Sequence, residues 1–200
     1  MAKNLIILPC CSRKNSGGND SNAGITFFEN ENICTQLISK RNIRIRQSPP
    51  SNPNNFMRAW DRYDGVIYRR LKQHQNLIDN LIKEKCLDII IMSALYGVIN
   101  YDTYINDYDL EIKANNGINF WGQGNVISSS INSYGEYTGV QQIYSFLTPN
   151  TYYRGLAANA LVINHFQSWP LGLRGATNVL NHVSDQIVER LNNISSSCSS

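Results

Sequence analysis

Two short apolar runs constrain this chain most: NLIILPC (4–10) and CLDIIIMSA (86–94), the second carrying one charge, Asp88. Runs of that length with no polar alternation are strands covered on both faces, the signature of an interior parallel sheet. VQQIYSFL (140–147) reads as a third strand. The stretches between them are long enough for parallel crossovers and carry helical spacing. Helix is predicted in part of 27–45, in two pieces of 56–85 broken at Gly65, and over 124–137, 150–167 and 175–193. QSPPSNPNN (47–55) holds three of the six prolines and can only be a loop. The fold class expected is α/β, a single compact domain over 1–194 with a small, mainly parallel central sheet flanked by helices. SSSCSS (195–200) reads as a disordered tail.

A chain of 200 residues that is 42% hydrophobic can bury one sizeable core. Its net charge of +3 permits nucleic-acid binding without demanding it. The charge is uneven: SKRNIRIR (39–46) and RRLKQH (69–74) are basic, and Tyr101 to Glu111 is acidic. These runs are either solvated surface or a phosphate-facing side opposite a carboxylate site. The five cysteines show no CxxC pair and no Cys/His ligand spacing, so no metal site is expected. They read as free thiols in a reducing compartment. The N-terminal apolar run is too short for a secretory signal, and no stretch approaches a membrane span of about 20 apolar residues. A soluble, cytoplasmic protein is expected, with no membrane partner and an oligomeric state left open.

In open α/β sheets, sites form beyond the carboxyl ends of strands. Three polar or aromatic loops leave those ends: Cys11–Gly24, Tyr96–Glu111 and Thr148–Arg154. In the first, Ser12, Arg13, Lys14 and a glycine pair suit an anion, or equally a basic surface turn. Its Cys10–Cys11 pair is either a thiol activated by Arg13 and Lys14 or small packing at a strand end. The second carries Asp102, Asp107, Asp109 and Glu111 among four tyrosines. In extended chain Asp107, Asp109 and Glu111 share a face and could serve a general base or stabilise a sugar cation. Taken alone, it reads as well as a Tyr/Asp-rich turn. GINFWGQGN (117–125) offers Asn119, Phe120 and Trp121 as core plug or stacking platform, and TPNTYYRGL (148–156) offers Tyr153 and Arg154 as base or phosphate contacts. The histidines (His74, His165, His182) fall in predicted helices, and no Ser-His-Asp pattern appears.

Taken in order, LPCCSRK (8–14), YDGVIY (63–68), MSALYGVINYDTYINDYDLEI (92–112), INFWGQGNVISSSIN (118–132) and FLTPNTYY (146–153) resemble the motifs of the YaaA (DUF328) family of peroxide stress resistance proteins. WPLGLRGATNVLNHV (169–183) is similar to a related small domain family of unknown function, DUF6884. The chain departs from the YaaA pattern at Val66, where the family has Asp, and at Asp109, where it has Arg. The resemblance implies a compact YaaA-like α/β fold, DNA binding through an element that includes a helix-hairpin-helix, and protection of DNA in oxidative stress.

Residue chemistry and resemblance together predict a DNA base N-glycosidase that removes a damaged or hypermodified base from double-stranded DNA, in a setting such as anti-phage defence. Asp109 and Glu111 would be catalytic. Ser12, Tyr68, Tyr96, Asn119, Trp121 and Tyr153 would hold the extruded base, and Arg13, Lys14, Arg44, Arg46, Arg69 and Arg154 the phosphates. No cofactor is expected. The rival readings are a non-enzymatic, salt-dependent DNA-binding stress protein and a nucleotide-processing enzyme that uses the Cys11–Gly18 loop.

Overall fold

The computed structural model describes residues 3–19, 31–149, 152, 156, 161–170 and 175–198. Its central sheet has five strands in the order β4-β3-β1-β6-β7. They are β1 (Lys3–Pro9), β3 (Leu87–Ser93), β4 (Gly97–Asn100), β6 (Val140–Ser145) and β7 (Asn164–Gln167). β1, β3, β6 and β7 run parallel, and only β4 is antiparallel, folded back on β3. A second, two-stranded antiparallel sheet pairs β2 (Phe56–Arg58) with β5 (Tyr104–Asn106). The helices are α1 (Glu31–Gln47), α2 (Ala59–Arg62), α3 (Val66–Lys72), α4 (Gln75–Lys83), α5 (Gly117–Gly122), α6 (Val126–Thr138) and α7 (Ala176–Cys198). The expected α/β class and mainly parallel sheet are present.

β1 is buried from Asn4 to Pro9, as its lack of alternation requires. Helices α3 and α4 pack on α7, while α1 packs on α6, which also touches β4 and β6. Leu5–Leu8, Leu87 and Ile89–Met92 form the centre of the core.

Four expectations are corrected. The helix expected over 150–167 gives way to strand β7 at its end, where Asn164–Gln167 pair in register with Gln142–Ser145 of β6. Local helical spacing lost there to an open sheet edge. The start of 56–85 is strand β2, not helix, because it pairs with β5. The tail expected to be disordered from 195 is helical through Cys198, which is 5% exposed and disulfide-bonded to Cys86. The bond spans 112 residues and fastens the end of α7 to the start of β3. The expectation that all five cysteines are free thiols is corrected with it; Cys10 and Cys11 are free.

Cross-links that close long loops stabilise by about 2–4 kcal/mol. Reduction, or Cys198→Ser, is expected to lower Tm by roughly 4–16 °C. The check is a melt with and without reductant: wild type should shift and Cys198→Ser should not. A wild-type Tm indifferent to reductant would contradict the cross-link.

Candidate functional site

β1 ends at Pro9, and the Cys10 amide still donates to the Met92 carbonyl (3.0 Å), so the chain leaves the sheet in a fixed direction. Gly65 lets the loop after β1 lie against the start of α3. A Cβ at that position would sit 2.8 Å from the Cys11 Cβ, so only glycine allows the approach. The Gly65 amide donates to Cys11 Sγ (3.2 Å). The loop is then zipped along residues 56–64. Asp64 N–H donates to the Arg13 carbonyl (3.1 Å), Asn15 N–H donates to the Arg62 carbonyl (2.8 Å), and Arg13 pairs with Asp64 (2.8 Å). Arg62, fully buried, donates through Nη1 to the Asn15 and Gly17 carbonyls (2.7 and 2.9 Å) and through Nη2 to the Asn55 carbonyl (3.1 Å). Burial lowers the Arg62 pKa and the Asp107 charge opposes that shift.

The second wall comes from the tyrosine-rich stretch after β3. Ser93 Oγ lies 2.9 Å from the Tyr108 hydroxyl, which lies 2.7 Å from that of Tyr63. Tyr96 packs edge-on against Tyr108, and its hydroxyl donates to Asn106 Oδ1 (3.0 Å). Burial holds the phenols of Tyr63 and Tyr108 well above their ordinary pKa and pushes Tyr96 up to about 12. These tyrosines are neutral, mutually bonded scaffolding. Lys14 reaches across from the first wall and sits 4.3 Å above the Tyr108 ring.

Between the walls, at the carboxyl ends of β1 and β3, lies a cavity of about 210 Å³. Ser12, Asp109, Glu111 and Lys113 line it, with Cys10 and Tyr152 at its back. Tyr152 follows β6, so all three strand ends contribute. Its hydroxyl is 3.1 Å from both the Sγ and the carbonyl oxygen of Cys10. Asp109 and Glu111 are exposed on the wall, while Asp107 turns away, half-buried. The predicted face shared by three carboxylates thus holds two, because residues 107–111 are not extended strand. A second cavity of about 240 Å³ lies on the other side of Cys10–Arg13, between that loop, α3 and Leu180 of α7; Arg69 and the edge of Tyr68 line it.

Other predicted site residues lie elsewhere. Tyr68, Tyr96 and Trp121 are at most 1% exposed and cannot stack on a base. Tyr68 donates to the Pro9 carbonyl (2.9 Å), and Trp121 Nε1 donates to the Ala94 carbonyl (3.0 Å). Trp121 packs under the β3–β4 turn, where Gly97 has φ +72° and a Cβ would come 2.8 Å from the indole. Arg44 is fully buried and bonds the carbonyls of Ala94, Ala114 and Asn115, so it is a strut and not a phosphate ligand. Arg41 is likewise buried, and Lys40 donates to the Phe120 carbonyl, which leaves Arg46 as the exposed cation of residues 40–46. Asn119 lines a separate recess with Asn116 and Phe120. Tyr153 and Arg154 lie outside the described residues.

Burial and the neighbouring Cys10 raise the Cys11 thiol from an ordinary 9.0 to about 11. The thiol activation considered from Arg13 and Lys14 therefore fails for Cys11: Arg13 is spent on Asp64 and burial dominates. At pH 8 roughly one Cys11 in a thousand is thiolate. Its alkylation by iodoacetamide is expected to be about a hundredfold slower than that of an exposed thiol, and to rise up to pH 11. Rapid labelling at pH 7, located by peptide mass, would contradict this.

Sequence reasoning missed Lys113, Tyr152 and Arg62. Lys113 was legible as the cation two residues beyond Glu111. Arg62 had no signal, since nothing local distinguishes a buried arginine from an exposed one. Among the described residues no helix is long and apolar enough to cross a membrane. No family model matches the chain, and no curated protein matches it.

Proposed function

We propose that this protein is a base N-glycosidase acting on double-stranded DNA, with the Ser12–Asp109–Glu111 cavity as its reaction site. The observation that carries this reading is two exposed carboxylates on one wall of a small cavity that Ser12 of the loop after β1 and Lys113 also line. At about 210 Å³ the cavity lies below the 300–1,000 Å³ of drug-sized sites and suits one flat group. An extruded base has that size and leaves its sugar at the rim. There, one carboxylate of the Asp109–Glu111 pair stabilises the cationic sugar as the C1′–N bond breaks, and the other draws a proton from the attacking water. Water's hydroxyl ends on C1′, and the proton it gave up passes from the carboxylate through solvent to the departing base. Lys113, on the same wall, balances the negative charge of the leaving base. The half-buried Lys14 and exposed Arg69 hold flanking phosphates. The base is gripped by polar contacts rather than by aromatic stacking, because Tyr68, Tyr96 and Trp121 are buried.

Purified protein incubated with duplexes of unmodified and hypermodified bases, followed by abasic-site detection, tests the reading. Abasic sites in at least one duplex support it, and none in any would overturn it. A purely DNA-binding role has less to rest on, because the basic run it needs is mostly internal, with Arg41 and Arg44 bonded to backbone carbonyls.

A further inference from the structure

We propose that Glu84, Cys86 and Cys198 form a redox-gated binding site for a thiophilic divalent cation, with Zn²⁺ as its probe. The three come from different places in the chain: the end of α4, the residue before β3, and the last turn of α7. Their donor atoms nevertheless all lie within 4.8 Å of one another. A tetrahedral zinc with Zn–S bonds of about 2.3 Å and a Zn–O bond of about 2.0 Å places its sulfurs about 3.8 Å apart, and a sulfur and an oxygen about 3.5 Å apart. Glu84 Oε2 is already 3.4 Å from Cys198 Sγ. The Cα atoms of the two cysteines, 6.1 Å apart, leave their side chains room to open to that spacing once the disulfide is cleaved.

Burial divides the roles. Cys86 and Cys198 are 1% and 5% exposed, whereas Glu84 is exposed and leaves the fourth coordination position to solvent. A buried dithiol with a carboxylate against it is a mixed S₂O donor set, which suits a borderline-soft dication better than Ca²⁺ or Mg²⁺. Cleavage by a phosphine sends two electrons to the S–S bond and two protons to the sulfurs, while the phosphine takes oxygen from water. Metal binding then releases the two thiol protons to solvent. The disulfide and the metal are mutually exclusive, and each ties α7 to β3. The site lies at the amino end of β3, opposite the cleft, and does not rest on the proposed glycosidase activity.

The test is a melt of phosphine-reduced protein with ZnCl₂ or with chelator, beside the oxidised protein, Cys198→Ser and Glu84→Gln. Near-saturating Zn²⁺ is expected to raise the Tm of reduced wild type by roughly 5–10 °C, reversibly with chelator. Oxidised wild type and Cys198→Ser should not respond, and Glu84→Gln should respond less. Co²⁺ added to reduced wild type should give thiolate-to-metal charge-transfer absorption, a readout that needs no melting transition. The proposal is overturned by a reduced protein that neither shifts with Zn²⁺ nor absorbs with Co²⁺. It is equally overturned by an equal shift in oxidised protein or Cys198→Ser, or by Glu84→Gln binding like wild type.

Discussion

Replacing Arg44 with alanine is expected to lower the unfolding free energy by about 3–5 kcal/mol, whereas Arg46→Ala, two residues on, should change it by less than about 0.5 kcal/mol. The two arginines share a basic run and a helix, yet one is fully buried and the other exposed. Arg44 donates through Nη2 to the Ala114 carbonyl (2.6 Å), through Nη1 to that of Asn115 (3.0 Å), and through Nε, at 3.5 Å, to that of Ala94. Each carbonyl left buried without a donor costs about 1–3 kcal/mol, and water reaching the outer two keeps the total below the full sum. Lysine is a poor substitute, because one ammonium cannot span three carbonyls, so Arg44→Lys should recover less than half the loss. Urea denaturation of the three variants measures this. The segment that Arg44 braces follows Lys113 directly, so Arg44→Ala should also loosen the carboxylate wall. If Arg44→Ala folds as stably as Arg46→Ala, the strut reading is wrong and the run is the phosphate-facing surface that its sequence suggests.

That contrast shows where sequence reasoning stopped. The strands of the sheet interior were legible because burial on both faces leaves a mark in each strand alone: NLIILP has no polar alternation to misread. β7 and β2 left no such mark, since each exists by virtue of a partner, β6 for one and β5 for the other. The cleft was legible in outline from the rule that sites gather at carboxyl ends, and Ser12, Asp109 and Glu111 do line one cavity. What failed was the sorting of polar and aromatic residues into surface and interior. Tyr96 and Trp121 looked like platforms because a tyrosine or tryptophan near a loop can serve either purpose. The Ala94 carbonyl, which accepts from Trp121, and Asn106 Oδ1, which accepts from the Tyr96 hydroxyl, decide the matter, and they are set by tertiary approach. The Cys86–Cys198 bond is invisible for the same reason, with 112 residues between its ends.

The largest effects on function are expected at the two carboxylates. Glu111→Gln and Asp109→Asn keep the shape and most hydrogen-bonding capacity of each side chain while removing the charge. Both residues are exposed on the cavity wall, so neither change should alter Tm measurably. A carboxylate that stabilises a developing sugar cation or takes a proton from water contributes about 10²–10⁴ in rate. Asp109→Arg, which puts a cation where the account needs a carboxylate, should abolish base release while leaving the fold intact. The decisive measurement is single-turnover base release from a reactive duplex by wild type, Asp109→Asn and Glu111→Gln, each confirmed folded by its melting curve. A fall of about 10²–10⁴-fold in at least one of the two, with DNA affinity changed by less than tenfold, is the predicted result. Wild-type rates in both would contradict the account, because the cavity would then not be where the bond is broken.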